Sequence, residues 1–354
     1  MSSSSKKDDD LMRHGSSSAN AVICNQHGDF NHALTLENQP IPVPKAGEVL
    51  VKMIAAAINP SDTLYIKGNY KAGPPLPARV GFEGVGTVTA VGPGISRLWT
   101  SFLIGKRVAV ASPHGGTWAE YCVVPAITAI PIPREISNER AAGYFINPAT
   151  ALMLARWDFR MPLGNWMIQS AGASALARML IRLGKVDKFR TISLIRKSSQ
   201  VAELKALGAD EVLVVDEHTS LEEFKELIGR ITLAAPPKFA VDPVGGRIGN
   251  LMLNTLGQNG KMRVIAGLSG EPLIVNPMHF LINRLKLTSF WLDEGLQSLS
   301  KTQQVQFIRQ LHQLHRRRVF DVETYQSFPL SDYRNALQAT KTAPAGTKIL
   351  LKMP

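Results

Sequence analysis

The sequence predicts an α/β protein with two domains, an irregular β-barrel followed by a doubly wound parallel sheet. The chain has 354 residues, of which 45% are hydrophobic and 19% charged, so it has enough apolar material for two cores. Residues 21–124 contain short apolar strands broken by glycine and proline. From residue 148 onward, short apolar strands alternate with helical stretches, which is typical of a parallel sheet covered by helices.

The first domain is predicted to begin after a disordered leader. Residues 1–19 are rich in serine and charged residues and contain too little apolar surface for a core. Strands are predicted at 49–53, 86–91 and 107–110, separated by glycine- and proline-containing turns. The acidic run Asp8, Asp9 and Asp10 is atypical of a mitochondrial transit peptide. We therefore expect a cytoplasmic protein, with a mitochondrial location as the alternative.

The second domain is predicted from five strand–helix units. Its strands are expected at 166–169, 191–195, 211–215, 239–242 and 261–265. A last strand at 348–352 is expected to return to the first domain. The predicted division is therefore a first domain formed by 20–145 and 292–354, and a second domain formed by 146–291.

Charge and cysteine content limit the possible functions. The net charge is +12 and the pI near 9.8, but the basic residues are mostly scattered, apart from a cluster at 315–318. We interpret that cluster as a solvated helix end, with a landing site for a phosphate-bearing substrate or an acidic carrier protein as the alternative. No apolar run approaches the roughly 18 residues of a membrane span, and no nucleic-acid module is recognisable, so neither partner is expected. Two distant thiols, Cys24 and Cys122, cannot form a disulfide framework or a four-cysteine zinc lobe.

A candidate phosphate-binding turn follows the first strand of the second domain. Residues 170–177 (Ser-Ala-Gly-Ala-Ser-Ala-Leu-Ala) are small and lie between a buried strand and a helix, where backbone can approach a pyrophosphate. A plain strand–helix turn is the alternative, because only one glycine is present. The residues predicted to contact the cofactor here are Gly172, Ala173, Ser174, Ala175 and Leu176.

The end of the next strand indicates which cofactor is used. Arg196, Lys197 and Ser198 stand where a site for NADH usually places an acidic residue that binds the ribose 2′-hydroxyl. Cations there would pair with a 2′-phosphate, so we predict NADPH. Two solvated bases at a strand end are the alternative interpretation.

Two segments resemble the metal-binding region of zinc alcohol dehydrogenases without its ligands. Residues 81–86 (Gly-Phe-Glu-Gly-Val-Gly) carry Phe82 where those enzymes carry a histidine ligand. Residues 59–62 (Asn-Pro-Ser-Asp) stand where the same enzymes place their first cysteine ligand. A phenyl ring has no lone pair for zinc. We therefore predict a medium-chain dehydrogenase/reductase without a catalytic metal.

From residue 21 onward, the chain resembles the zinc-free quinone oxidoreductases, and among them the mitochondrial-type trans-2-enoyl thioester reductases. Residues 59–70 are similar to the substrate segment of those reductases, residues 146–151 to their Asn-Pro-x-Thr-Ala segment, and residues 290–292 to a Phe-Trp-Leu cofactor contact. The family turn usually has asparagine near Ala173 and glycine near Ala177, and this chain departs from it at both. The resemblance implies a GroES-like first domain, a Rossmann second domain and a homodimer. The other predicted cofactor contacts are Asn147, Thr150, Ile265, Ala266, Gly267, Leu268, Phe290, Trp291, Leu292 and Lys348.

The resemblance assigns the proton donor to Tyr70. In the predicted reaction, hydride from NADPH reaches the β-carbon of a 2-enoyl thioester, and the resulting enolate needs stabilisation and a proton. A tyrosine with an ordinary pKa of about 10 is protonated at neutral pH and can donate. Asn59 or a backbone N–H is predicted to help hold the carbonyl. The alternatives are a quinone or α,β-unsaturated ketone reductase, for which Tyr70 is not essential, and a non-catalytic cofactor-binding or nucleic-acid-associated protein.

Overall fold

The computed structural model describes residues 18–70 and 73–354. The predicted leader lies outside the described residues up to residue 17, and Ser18 and Ala19 belong to the first strand. The chain divides into two compact units, one formed by the residues up to Ile146 together with Thr324–Pro354, the other by Asn147–Glu323. The second unit therefore extends beyond the boundary predicted at residue 291. The assignment of a function to each unit stays a prediction.

The first unit is built mainly from antiparallel strands. A three-stranded sheet has the order β2-β1-β4, and a larger sheet has the order β15-β16-β3-β5-β6-β8, with β7 paired to β3. At Gly86 the strands β3 and β5 come so close that a Cβ would lie 2.4 Å from the carbonyl oxygen of Lys52, which explains the glycine. The strands of this unit are β1 (Ser18–Cys24), β2 (Leu34–Pro40), β3 (Glu48–Ala57), β4 (Ala78–Arg79), β5 (Glu83–Val91), β6 (Arg107–Ala111), β7 (Tyr121–Pro125), β8 (Ala129–Pro131), β15 (Tyr325–Pro329) and β16 (Lys348–Lys352).

The helices of the first unit are short. They are Phe30–Ala33, Pro60–Ile66, Arg97–Leu103, Asn138–Ala142 and Tyr333–Thr342, and Ile146–Leu152 begins at the boundary with the second unit. One core lies between β3, β5 and β6 and contains Val51, Val88 and Val110. Another surrounds Tyr65, Phe82 and Trp118 and includes the C-terminal strand β16.

The second unit is a six-stranded, fully parallel sheet with the order β11-β10-β9-β12-β13-β14. The reversal of strand order beside β9 is the dinucleotide-binding arrangement that the strand–helix alternation predicts. Its strands are β9 (Trp166–Gln169), β10 (Arg190–Ile195), β11 (Glu211–Val214), β12 (Phe239–Asp242), β13 (Lys261–Val264) and β14 (Lys286–Ser289). Its helices are Ala175–Asp187, Val201–Leu207, Leu221–Ile231, Gly246–Leu253, Pro277–Ile282, Leu292–Gln297 and Lys301–Arg316, and a π-helical stretch spans Met153–Asp158.

The predicted fold class is confirmed by these two architectures. The amphipathic helix Ala175–Asp187 follows β9 directly and buries Leu180 and Leu183. Among the residues described, no helix combines the length and the apolarity required to cross a bilayer.

Candidate active site

An aromatic group in the first unit contains the predicted proton donor. The Tyr70 ring is half-buried and lies tilted against Phe82, with 5.6 Å between ring centroids. Tyr65 contacts Phe82 edge-on at 5.8 Å, is 2% exposed, and donates its hydroxyl hydrogen to the carbonyl of Pro74 at 2.8 Å. Burial raises the pKa of Tyr65 to about 12. Tyr65 is therefore part of the core, and Tyr70 is the more accessible of the two phenols.

A buried polar network lies next to this aromatic group, with Asn59 at its centre. Lys348 Nζ donates to Asn59 Oδ1 at 2.5 Å, and Asn59 Nδ2 donates to Glu83 Oε2 at 3.0 Å. The relative exposure of Asn59 is 2%, of Glu83 1% and of Lys348 6%. Both ends of the amide are thus used inside the protein, and Asn59 bridges an ammonium group and a carboxyl group, so each of these buried groups is hydrogen-bonded.

The two acids of the network connect distant segments through backbone hydrogen bonds. Glu83 Oε1 accepts the N–H groups of Phe145 and Ile146, each at 2.7 Å. Asp62 accepts the N–H of Asn59 at 2.6 Å and that of Phe82 at 3.0 Å. The network therefore fixes the backbone on both sides of the Phe82 ring, and the peptide groups immediately before Asn147.

Burial controls the ionisation of this cluster. Desolvation raises the pKa of Asp62 to about 7, with a smaller upward contribution from Glu83, against backbone hydrogen bonds and the charge of Lys348. Desolvation also lowers the pKa of Lys348, while the charges of Glu83 and Asp62 oppose that shift. One ammonium group thus interacts with two carboxyl groups, and burial favours the protonated form of Asp62.

This geometry favours positioning roles for two residues that the sequence assigns to direct contacts. Asn59 is predicted to hold a substrate carbonyl and Lys348 to touch the cofactor, but each side chain is buried and bonded to the other. Glu83 and Asp62 were missed by sequence reasoning. A charged residue within an apolar strand such as β5 was the available signal for Glu83, because acids are rarely buried unless they are paired.

The predicted phosphate-binding turn adopts a closely packed geometry in the second unit. A Cβ on Gly172 would lie 2.7 Å from Ser193 Cβ and 2.9 Å from the Ser193 carbonyl carbon, so only glycine fits between β9 and β10. Ser174 caps the helix Ala175–Asp187 by accepting the N–H of Ala177 at 3.3 Å. The turn thus leads into a helix N-terminus, which suits an anionic pyrophosphate.

The predicted 2′-phosphate residues follow β10. Arg196, Lys197 and Ser198 are all exposed. In the part of the chain that the structure describes, neither of the two cations forms an ion pair. Their charges are therefore available to a ligand.

Most of the other predicted cofactor residues lie on the same edge of the parallel sheet. The carboxyl ends of parallel strands meet at one edge, and residues 265–268 follow β13 while residues 290–292 follow β14. The Phe290 N–H donates to Val264 at 2.9 Å, and Leu268 and Trp291 are 50% and 38% exposed. Asn147 and Thr150 lie on the helix Ile146–Leu152, where Thr150 is 9% exposed.

One further residue at this edge was not predicted. Asp242 ends β12, accepts the Ser170 hydroxyl at 2.5 Å, and accepts the N–H groups of Val244 and Gly245 at 2.8 and 3.1 Å. It is fully buried and fixes the turn after β12 beside the turn after β9. The sequence feature that could have predicted this role is an acidic residue at the end of an otherwise apolar strand.

Known proteins resemble this chain in both sequence and structure. Residues 45–134 match the alcohol dehydrogenase GroES-like domain. The mitochondrial enoyl-[acyl-carrier-protein] reductase of Rattus norvegicus is 32% identical over 94% of this chain and 88% of that protein. The enzyme of the same name from Arabidopsis thaliana is 35% identical over 78% of this chain and 72% of that protein.

Solved structures also resemble this chain over nearly its whole length. A protein assigned as an NADPH:quinone reductase from Bacillus thuringiensis has a TM-score of 0.84 and 30% identity, covering 95% of this chain and 99% of its own. A mycobacterial protein complexed with NADPH has a TM-score of 0.83 and 26% identity, covering 94% and 99%.

The GroES-like unit and the parallel sheet together define an oxidoreductase of the medium-chain dehydrogenase/reductase class. Within that class, the chain belongs to the family of the quinone oxidoreductases and the mitochondrial enoyl-[acyl-carrier-protein] reductases. These findings confirm the predicted family, the predicted class of enzyme and NADPH as the predicted cofactor.

Proposed function

We propose that this NADPH-dependent oxidoreductase reduces the activated C=C bond of a trans-2-enoyl thioester, with Tyr70 as the proton donor. The proposal rests on one observation, which is the difference between the two tyrosine rings, Tyr65 and Tyr70, that pack against Phe82. Tyr65 has its hydroxyl bonded to Pro74 in the core, whereas Tyr70 lies at the half-buried edge of the same group. The enoyl-[acyl-carrier-protein] reductase relatives, which span nearly the whole chain, support the substrate class.

The residues at the carboxyl edge of the second unit fit a dinucleotide phosphate. Gly172 and Ser174 form a turn with small side chains at a helix N-terminus, and Arg196 and Lys197 provide exposed cations for a 2′-phosphate. The turn requires glycine at position 172, because the Cβ of any other residue would collide with the neighbouring strand. The fit supports NADPH as the cofactor, as does its presence in the mycobacterial structural neighbour.

Each residue of the first unit has a defined task in this proposal. When bound, NADPH supplies a hydride to the substrate β-carbon. The Tyr70 hydroxyl donates a proton at the α-carbon, because an enolate is a stronger base than a phenolate. Glu83 holds the backbone at Phe145 and Ile146, and Asn59 keeps Glu83 and Lys348 in place. The Phe82 ring supports Tyr70 and excludes water from one side of it.

The test is NADPH oxidation with crotonyl-CoA and with 1,4-benzoquinone, for the wild-type protein and Tyr70→Phe. We expect the wild type to reduce crotonyl-CoA, and kcat with that substrate to fall about 100-fold in Tyr70→Phe, since general acids contribute on this scale. Tyr65→Phe is the matched control, because it removes a phenol that is already bonded to Pro74. Undiminished enoyl reduction by Tyr70→Phe would refute the assignment.

Reduction of a quinone is the second candidate function, and it is favoured by the structural likeness to the protein assigned as an NADPH:quinone reductase. A quinone accepts hydride readily and does not need a strong proton donor. Quinone reduction alone, unaffected by Tyr70→Phe, would therefore place the chain with the quinone reductases. NADPH binding without turnover of either acceptor would instead favour a non-catalytic role.

A homodimer through the second unit is also proposed. The strand β14 is the edge of the parallel sheet, and the helix Pro277–Ile282 beside it exposes Leu281 at 69% and Ile282 at 64%. An edge strand presents unpaired N–H and C=O groups that can pair with a strand of another chain, and exposed apolar side chains beside it add a contact surface. Leu281→Glu with Ile282→Glu should yield a monomer in sedimentation velocity, and Leu163→Glu, at a residue 74% exposed, should not. A monomeric wild type would refute this.

The cellular location is proposed from the relatives. The enoyl-[acyl-carrier-protein] reductases that the chain resembles are named as mitochondrial, which favours the mitochondrial alternative over the cytoplasmic one. Subcellular fractionation of the full chain tests this, and recovery in the cytosol alone would restore the original expectation.

A further inference from the structure

The short helix Arg97–Leu103 presents large apolar side chains to solvent. Leu98 is 82% exposed, Trp99 58% and Phe102 47%, while Leu103 alone is buried in the core below. The rings of Trp99 and Phe102 contact each other edge-on at 5.7 Å. Solitary exposed apolar residues are common, but several on one short helix indicate a binding surface.

A basic residue lies at each end of this apolar helix, and acidic residues are absent from this part of the sequence. Lys106 Nζ lies 5.7 Å from the centroid of the Phe102 ring, and Arg97 is exposed at the helix start. Between Glu83 and Glu120 the sequence contains no aspartate or glutamate, although the whole chain has 28. The surface therefore combines apolar contact with positive charge.

Two loops adjoin the turn that leads into this helix. The Gly47 N–H donates to Pro93 at 3.1 Å, and the Ala126 N–H donates to Gly47 at 2.9 Å. These loops carry Val43 and Ile127, each 80% exposed. Exposed Lys45 adds a cation, and half-buried Glu48 accepts the Lys45 N–H at 2.8 Å, so that acid is engaged locally.

We propose that the helix Arg97–Leu103, with Ile104 and these loops, docks on an anionic lipid bilayer. Trp and Phe rings with Leu and Ile enter the boundary between headgroups and acyl chains, while flanking Lys and Arg pair with lipid phosphates. The net charge of +12 attracts the whole protein to such a surface. The sequence-based expectation of no membrane partner was based on the lack of a spanning segment, and this mode of attachment needs none.

Flotation of the full chain with vesicles tests the proposal without reference to enzyme activity. We expect binding to vesicles of phosphatidylcholine with phosphatidylserine and much weaker binding to phosphatidylcholine alone. Leu98→Ser with Phe102→Ser should weaken binding at least about tenfold, because two large apolar side chains are lost. Leu163→Ser is the matched control at a residue 74% exposed elsewhere in the chain, and it should bind as the wild type does.

A second variant tests insertion itself. Lipids brominated in the acyl chain should quench Trp99 fluorescence, and Trp99→Phe should keep vesicle binding while losing that part of the quenching. No vesicle binding, or equal binding by the double variant, would overturn the proposal. Concentration-dependent self-association abolished by Leu98→Ser would also overturn it, and would assign the face to a second copy of the chain.

Discussion

The polar groups of the candidate site are buried in the first unit and exposed in the second. In the first unit, Asn59, Glu83 and Lys348 are buried and satisfy one another. At the carboxyl edge of the second unit, Arg196 and Lys197 stand exposed beside a turn of small residues. Polar groups that fix the backbone are buried and hydrogen-bonded to one another, whereas those proposed to bind a ligand are exposed to solvent.

The difference shows which substitutions should affect the stability of the fold and which should affect ligand binding alone. A buried charge that loses its partner has no water to replace it, so the free energy of unfolding falls. An exposed cation is solvated with or without a ligand, so its removal changes affinity and leaves the fold intact.

The sharpest test of the buried network is Lys348→Met. This change removes the ammonium group that donates to Asn59 and whose charge interacts with Glu83 and Asp62, and we expect the free energy of unfolding to fall by about 3–5 kcal/mol. Lys352→Met is the matched control on the same strand, because its ammonium pairs with Glu139 at 3.0 Å while 51% exposed, and such surface pairs contribute less than about 1 kcal/mol. Urea denaturation measures both variants. Equal losses would erase the distinction between the two kinds of site.

The pH dependence of stability should depend on Asp62. Its folded pKa is raised to about 7 from 3.8, so the stability it contributes is complete below pH 3.8 and is lost as the pH rises through about 7. We expect the wild type to lose about 4 kcal/mol across this interval through Asp62, since each pKa unit corresponds to about 1.4 kcal/mol. Asp62→Asn should flatten the profile between these values. A profile of unchanged slope would mean that Asp62 is already ionised when folded.

A test of the turn in the second unit is Gly172→Ala. The added Cβ would meet Ser193 at 2.7 Å, and we expect a loss of about 1–3 kcal/mol together with weaker NADPH binding. Gly229→Ala is the control, because nothing lies within 4 Å of its Cβ position on the helix Leu221–Ile231, so that this change should stabilise the protein slightly. Thermal melts with and without NADPH separate the two effects. A Gly172→Ala protein as stable as the wild type would contradict the close approach.

The smallest effect on the fold is expected for Arg196→Ser with Lys197→Ser. The melting temperature should not change, while the KM for NADPH should rise about tenfold or more and that for NADH should stay constant, since only NADPH has the 2′-phosphate. Lys225→Ser, at another exposed lysine of this unit, serves as the control. Equal effects on both cofactors would show that the pair does not bind the 2′-phosphate.

The sequence predicts local structure well wherever apolar runs are bounded by turn residues. The strands expected at 166–169, 239–242 and 348–352 are observed with those bounds. The strand expected at 49–53 extends over Glu48–Ala57, because irregular pairing with β5 lets it continue. The strand–helix alternation predicts parallel pairing, and parallel strands place their carboxyl ends at one edge of the sheet, where most of the predicted cofactor residues lie.

The buried network could not be predicted in the same way. Lys348 and Asn59 are bonded although 289 positions separate them, and no local pattern records that pairing. The sequence analysis singles out both residues but predicts that Asn59 holds the substrate carbonyl and that Lys348 contacts the cofactor. A polar residue in a family motif is most simply interpreted as a ligand contact. The burial of each side chain favours support over contact, and burial comes from the tertiary structure.

The connection of Lys348 to Asn59 also has a consequence for biosynthesis. A ribosome makes residues 59–83 long before residue 348, so the growing chain carries Glu83 without the ammonium group of Lys348 while the whole second unit is being made. The second unit, made entirely of Asn147–Glu323, is complete before that lysine leaves the ribosome. The second unit is therefore expected to fold first, and the unit that bears Tyr70 to mature only when the strand β16 has been made.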